Sequence, residues 1–242
     1  MVTQTLVRKL FASKRPKKQE RHYLVLPHHN IAYARIPKAA NSSVKHALHD
    51  FLFGHEATID GGRRDRFWYQ HPSGLADMMS YGALKQKHPD AFIFSFVRNP
   101  YSQTVSCYHE KIVKRRKYGL INSFRDSGFT PEMTFRDFVD HIATIPDEVA
   151  DVHFKSQASM LTVKGKSTCD FIGKTETMDK DWAHLQATIS GKSGHHLPNI
   201  RTIHQQADRP KPRDLYNDYL ITKVRERYDN DFRLFYPTDI TP

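Results

Sequence analysis

The sequence predicts an α/β fold, one domain built on a sheet with helical crossover connections, and three observations predict it. Short apolar strands alternate with amphipathic helices along the chain, the order that lays helices over a sheet. One of those runs, AFIFSFV over Ala91 to Val97, is apolar throughout, as a parallel strand buried on both faces is. The chain of 242 residues, 38% hydrophobic with 15 Phe and 11 Tyr, is also large and apolar enough to bury one core.

Each element follows in order. Residues 1–22 are expected to be a basic, flexible tail, and the folded domain is expected over 23–242. YLVLPHHNIAYARIP, starting at Tyr23, reads as one or two strands with a break at Pro27 to Asn30. In SSVKHALHDFLF, residues Val44, Ala47, Leu48, Phe51 and Leu52 recur at i, i+3, i+4, i+7 and i+8, which is an amphipathic helix. GHEATIDGGRRDR reads as a surface loop. After the Ala91–Val97 strand, Asn99-Pro100 punctuates the chain, and Tyr101, Val105, Tyr108 and Ile112 return at helical spacing. A third strand is expected at Cys169 to Gly173, with a helix from about Asp179 to Ile189. A last helix is expected from Arg213 to Tyr228, with Leu215, Tyr219, Leu220 and Val224 inward.

Composition excludes several classes. No stretch approaches the roughly 18 apolar residues of a membrane span, and the mean hydropathy is −0.65. The N-terminus lacks a secretory apolar core. Two cysteines, Cys107 and Cys169, make no disulfide framework, and no CxxC is present for zinc. These features lead us to expect a bacterial cytoplasmic protein, with the Golgi lumen possible only for a chain trimmed of an anchor. The net charge of +11 divides unevenly: seven basic tail residues against Glu20 supply +6, leaving +5 for the rest. That excess suits an enzyme with anionic ligands as well as a nucleic-acid binder.

The stretch Ile36-Pro37-Lys38-Ala39-Ala40-Asn41-Ser42-Ser43 lies between a strand and a helix. Small residues let backbone N–H groups approach an anion, the helix N-terminus adds partial positive charge, and Lys38 adds a full one. It is not a Walker A loop. Three GK[ST] tripeptides, at Gly165, Gly173 and Gly191, are preceded five residues earlier by Met160, Thr168 and Gln186, so none has the first glycine. Read alone, the Lys38 loop is equally an ordinary Ser-capped turn. In Phe96-Val97-Arg98-Asn99-Pro100-Tyr101, Arg98 ends an apolar strand and projects toward the crevice where α/β folds bind ligands. Ser106, eight residues on, is within reach of the same anion. Read alone, Arg98 equally pairs with a carboxylate and Ser106 packs in its helix. No metal-ligand spacing is present: His28-His29 and His195-His196 are adjacent pairs, and His109-Glu110 has no His three residues later.

Taken together, the motifs resemble a known family. IPKAANSSV resembles the 5′-phosphosulfate-binding loop of sulfotransferases, and FVRNPYSQTVSCY resembles their 3′-phosphate-binding strand and helix, in the right order. The form is similar to carbohydrate-type sulfotransferases (sulfotransferase family 2, with heparan 2-O- and chondroitin-type enzymes and bacterial relatives). DVHFKSQ from Asp151 to Gln157, DFIGKTE from Asp170 to Glu176 and YDNDFRLF from Tyr228 to Phe235 resemble later stretches of that group. The resemblance spans about residues 23 to 237. It departs where the family's loop often carries Thr or Gly and this chain has Ala39, Ala40 and Asn41.

The resemblance implies a P-loop-like sulfotransferase fold, a parallel sheet flanked by helices. It implies an enzyme that moves a sulfuryl group from 3′-phosphoadenosine 5′-phosphosulfate (PAPS) to a hydroxyl, releasing adenosine 3′,5′-bisphosphate (PAP) without a metal. The acceptor would be a glycan or glycolipid; nucleic acid is not expected as a partner. Lys38 and the N–H groups of Ala39, Ala40, Asn41, Ser42 and Ser43 would stabilise the leaving phosphate, and Arg98 with Ser106 would hold the 3′-phosphate. His71 would be the general base, placed between the motifs as in the heparan 2-O-type enzymes; His153, Glu56 or an Asp are the alternatives. The loops Gly54 to Arg66 and Tyr118 to Thr134 would build the acceptor pocket. The basic run Lys111 to Lys117 reads as the exposed end of the Ser106 helix, or as an acceptor-binding face. The competing readings are a nucleotide-dependent phosphotransferase, a basic nucleic-acid-binding module and an inactive PAP-binding relative.

Overall fold

The computed structural model describes residues 22–54, 65–69, 73–201, 211–238 and 240–242. Strands β1 (Tyr23–Leu26) and β2 (Ile31–Ala34) pair antiparallel, with Tyr23 opposite Ala34. The break between them is a tight turn over Pro27–His29, closed by Asn30 at φ 53°, a left-handed position that Asn tolerates. With β3 (Asp77–Met79), β4 (Phe92–Val97) and β5 (Phe171–Lys174) they form one sheet in the order β3-β1-β2-β4-β5. Strands β2, β4 and β5 are parallel, as expected, whereas β1 runs antiparallel to both of its neighbours, β2 and β3. The sheet is therefore mixed rather than parallel throughout, because the Pro27–Asn30 turn is too short for a crossover.

The longer helices are α1 (Asn41–Phe53), α2 (Tyr81–Lys87), α3 (Pro100–Lys111), α4 (Phe135–Thr144), α5 (Gln157–Leu161), α6 (Met178–Ser193), α7 (Asp218–Arg227) and α8 (Asp229–Phe235). Local chemistry sets several starts. The Asn99 side chain accepts from the Tyr101 amide at 2.9 Å, and Pro100 occupies the first turn of α3. Thr134 and Asp137 form a capping box on α4. Strand alternation then divides the core between the two faces of the sheet. Tyr23, Val25, Ala32 and Ile93 pack with Val105, Phe138 and Val224, while Leu24, Tyr33, Phe94 and Phe96 pack with Leu48, Trp68 and Trp182.

Two expected elements differ. The helix expected from Arg213 to Tyr228 is split into a turn at Pro212–Leu215 and α7. Asn217 interrupts it by accepting the Leu220 amide at 3.0 Å as an N-cap. The new phase buries Leu220 and Val224, but turns Tyr219 outward (42% exposed), where its hydroxyl meets Asp140 at 2.6 Å. The basic run does not extend α3, which stops at Lys111; Lys111 and Ile112 are buried, and the chain turns over Val113–Arg115. Residues 118–134 are likewise not a free loop, since Phe124 and Phe129 sit in the core. Residues 55–64 lie outside the described residues. No helix among the described residues is long and apolar enough to cross a membrane.

Gly173 in β5 has a packing reason. A Cβ there would stand 2.4 Å from the ring of Phe96 on the neighbouring strand. Gly173→Ala is expected to cost about 1–3 kcal/mol by overpacking, read as a lower thermal midpoint. An unchanged midpoint would show that Phe96 is free to move aside.

Candidate active site

The loop joining β2 to α1 is bent by two non-glycine residues in the left-handed region, Lys38 at φ 69° and Ala40 at φ 53°. Such conformations cost about 1–2 kcal/mol each for L-residues and gather where backbone geometry serves a ligand. Here they turn the start of α1 so that the amides of Ala40, Asn41 and Ser42 donate to no described residue, as the first turn of a helix allows. Ala39 corrects the expectation. Its N–H donates to the Ile36 carbonyl at 3.3 Å and its side chain is fully buried, so it shapes the loop and offers no donor to a ligand.

The loop faces a cavity of about 470 Å³ at the C-terminal edge of β2, β4 and β5. Lys38, Ala40, Asn41, Ser42 and Ser43 line it from one side; Arg98, Ser102, Ser106 and Glu110 line it from the end of β4 and α3. The structure thus brings together the predicted loop, Arg98 and Ser106. Ser102, Ser106 and Glu110 follow the i, i+4, i+8 spacing of one helical face. Neither serine hydroxyl has a partner among the described residues, and the Asn41 Oδ1 is buried and unpartnered. Polar groups left unsatisfied by the protein fit a polar, hydrogen-bonding ligand. Arg98 also ties the two halves, donating from Nη1 to the Lys38 carbonyl at 3.2 Å.

Lys38 is paired with Glu110, and Glu110 also meets Lys111 at 3.0 Å. Burial lowers the Lys38 ammonium below its ordinary value, against the opposing pull of Glu110. For Glu110, burial acts upward, but Lys38 and Lys111 outweigh it and hold the carboxyl down to about 2. This carboxylate was missed in the sequence, although its place one turn beyond Ser106 marks it.

The remaining motif residues hold Arg98 in place. Gln157 accepts the Arg98 amide at 2.8 Å and returns a bond to the Arg98 carbonyl at 2.7 Å. Asp231, fully buried, accepts from the amides of Gln157 at 3.0 Å and Ala158 at 2.6 Å. Glu176 accepts from the Asn99 amide at 2.8 Å and from the Tyr236 hydroxyl at 2.9 Å. The late stretches thus form a brace behind the strand that presents Arg98. His71, expected as the base, and Glu56 lie outside the described residues. His153 lines the cavity. Among the described residues no group of three or more His, Cys, Asp or Glu is placed to hold a metal.

Burial pushes the Asp231 carboxyl up to about 7, against the amides of Ala158 and Gln157. Between its ordinary value of 3.8 and about 7, the folded state then holds more protons than the unfolded one, so this residue lowers stability as pH rises through that window. Asp231→Asn removes the titration and sets an amide against backbone donors. The variant is expected to unfold at a lower temperature, with the gap to wild type narrowing from about pH 4 to about pH 7. A pH-independent gap in thermal midpoints would contradict this.

Residues 21–237 match the family model described as "Sulfotransferase family". No curated protein and no solved structure gives a significant match.

Proposed function

The chain belongs to the sulfotransferase family, and from that premise we propose that it transfers the sulfuryl group of PAPS to a carbohydrate hydroxyl, releasing PAP. The observation that carries this reading is the convergence of two separate anion-binding devices on one cavity. The first is Lys38 with the open amides at the start of α1; the second is Arg98 with Ser102 and Ser106. A donor bearing phosphate on both the 3′ and 5′ oxygens of one ribose needs two such devices a ribose apart, and 470 Å³ lies in the size range of small-ligand sites.

In this reading Lys38 and the amides of Ala40, Asn41, Ser42 and Ser43 take the 5′-phosphosulfate side. They stabilise the negative charge that grows on the leaving phosphate oxygen. The fork of Arg98 and the Ser106 hydroxyl take the 3′-phosphate, the group that separates PAPS from ATP. Lys38 must exchange Glu110 for a phosphate oxygen, and Lys111 is placed to keep Glu110 neutralised. A carbohydrate acceptor is supported by the resemblance of the motifs to the carbohydrate-type enzymes, and by exposed Lys114, Arg116 and Lys117 just beyond α3.

Calorimetric titration with PAP, adenosine 5′-phosphate and Mg-ATP tests the reading. Micromolar or tighter PAP binding that weakens strongly without the 3′-phosphate is expected. Silence toward PAP from folded protein would end the proposal, and preferential Mg-ATP binding would replace it with phosphotransfer.

A further inference from the structure

Sulfuryl transfer to a hydroxyl leaves one proton to be placed, and resting on that proposed reaction we infer that His153, oriented by Asp151, receives it as the general base. Four cavity-lining residues among those described have an atom that binds a proton reversibly: Lys38, Glu110, His153 and Glu176. Lys38 is assigned to the donor phosphate, and Glu110 keeps Lys111 at 3.0 Å when Lys38 leaves it; a carboxylate held by an ammonium is a weak base. Glu176 has both oxygens engaged, one by the Asn99 amide and Thr175, the other by Tyr236.

His153 differs from all three. Its Nδ1 lies 2.6 Å from the Asp151 Oδ1, which also accepts the His153 amide at 3.0 Å. The side chains are 25% and 13% exposed, so the pair is shielded, and His153 lines the cavity. Its Nε2 bonds to no described residue. A carboxylate on Nδ1 fixes the tautomer with the lone pair on Nε2 and stabilises the imidazolium formed when a proton arrives. The segment is stiffly mounted. The amides of Phe154 and Lys155 donate to the Asp151 carbonyl at 3.1 and 3.0 Å, Tyr228 donates to the Phe154 carbonyl at 2.8 Å, and Gln157 grips Arg98. Burial acts to raise the Asp151 carboxyl, but His153 and the Ser123 hydroxyl hold it below its ordinary value.

The step balances. The acceptor oxygen forms a bond to sulfur as the bond from sulfur to the 5′-phosphate oxygen breaks. The electron pair stays on that phosphate oxygen, and the hydroxyl proton passes to Nε2 of His153. Asp151 on its own segment is the charged partner of this imidazole, and the charged groups that share its cavity are Lys38 and Arg98 from the strand ends, Glu110 from α3, itself paired with Lys111, and Glu176 after β5.

The test compares His153→Gln, Asp151→Asn and His71→Gln with wild type, measuring PAP released from PAPS over a panel of neutral and anionic oligosaccharides. His153→Gln is expected to lose about 10²-fold or more in turnover, with PAP affinity by calorimetry within about threefold of wild type. Asp151→Asn is expected to lose less, because the imidazolium that forms loses its counter-charge and its orienting partner. Nitrogen NMR of the free protein should show His153 protonated on Nδ1 and bare on Nε2. Near-wild-type turnover in His153→Gln, loss confined to His71→Gln, parallel loss of PAP binding, or protonation on Nε2 would each overturn the assignment. Failure of the wild type to bind PAP would instead sink the proposed reaction, and the NMR result would still decide the dyad.

Discussion

Lys38→Ala is expected to lower PAPS turnover by roughly 10²- to 10³-fold, the range for losing one preorganised donor to a developing oxyanion, while the protein stays folded. The stability half of that expectation follows from its partners. Truncating one member of a buried ion pair is costly when it strands the other charge. Here Glu110 is 40% exposed and keeps Lys111 at 3.0 Å, so it is not stranded. Lys38 itself is only 12% exposed, and Lys38→Met retains most of its stem in that space without the charge. Both variants should therefore melt close to wild type and share the loss of turnover. Wild-type-like turnover in Lys38→Met would remove the charge from the mechanism, and a collapse of the melting temperature in both would make Lys38 a structural residue.

The same pair shows what was legible in the sequence and what was not. Lys38, Ser42 and Arg98 were readable because a strand ending in a short polar turn before an amphipathic helix is a local pattern, and its ligand geometry follows from the helix start. Ser102 and Glu110 were readable in principle, one turn either side of Ser106. Ala39 was misassigned because a small residue in such a loop looks like an open amide until the Ile36 carbonyl is seen to claim it. Asp231, Gln157 and Glu176 were visible only as resemblances. Their purpose, bracing Arg98 across 59 or more residues of chain, depends on tertiary contacts that no local period encodes. The strand β3 and the antiparallel course of β1 were missed for the same reason, since strand pairing is settled by which edges meet. The Asn217 break is different: the cap was in the sequence, and the apolar period on either side masked it.

Arg98→Ala is expected to weaken PAP binding by about 10- to 100-fold, the worth of charge-assisted bonds to one phosphate, while changing the affinity for adenosine 5′-phosphate by less than about threefold. The contrast between ligands matters more than the size of either loss. Arg98 also donates to the Lys38 carbonyl, so its removal loosens the loop assigned to the 5′ side. If that were its main contribution, both ligands would suffer equally. Its backbone is held independently by Gln157, through bonds of 2.8 and 2.7 Å, so the strand end should survive the substitution. Arg98→Lys separates charge from shape: a point charge on a flexible stem cannot reproduce the planar fork, and an affinity between those of Ala and wild type is expected. Equal losses for the two ligands would assign Arg98 to the architecture of the Lys38 loop and leave the 3′-phosphate to Ser102 and Ser106.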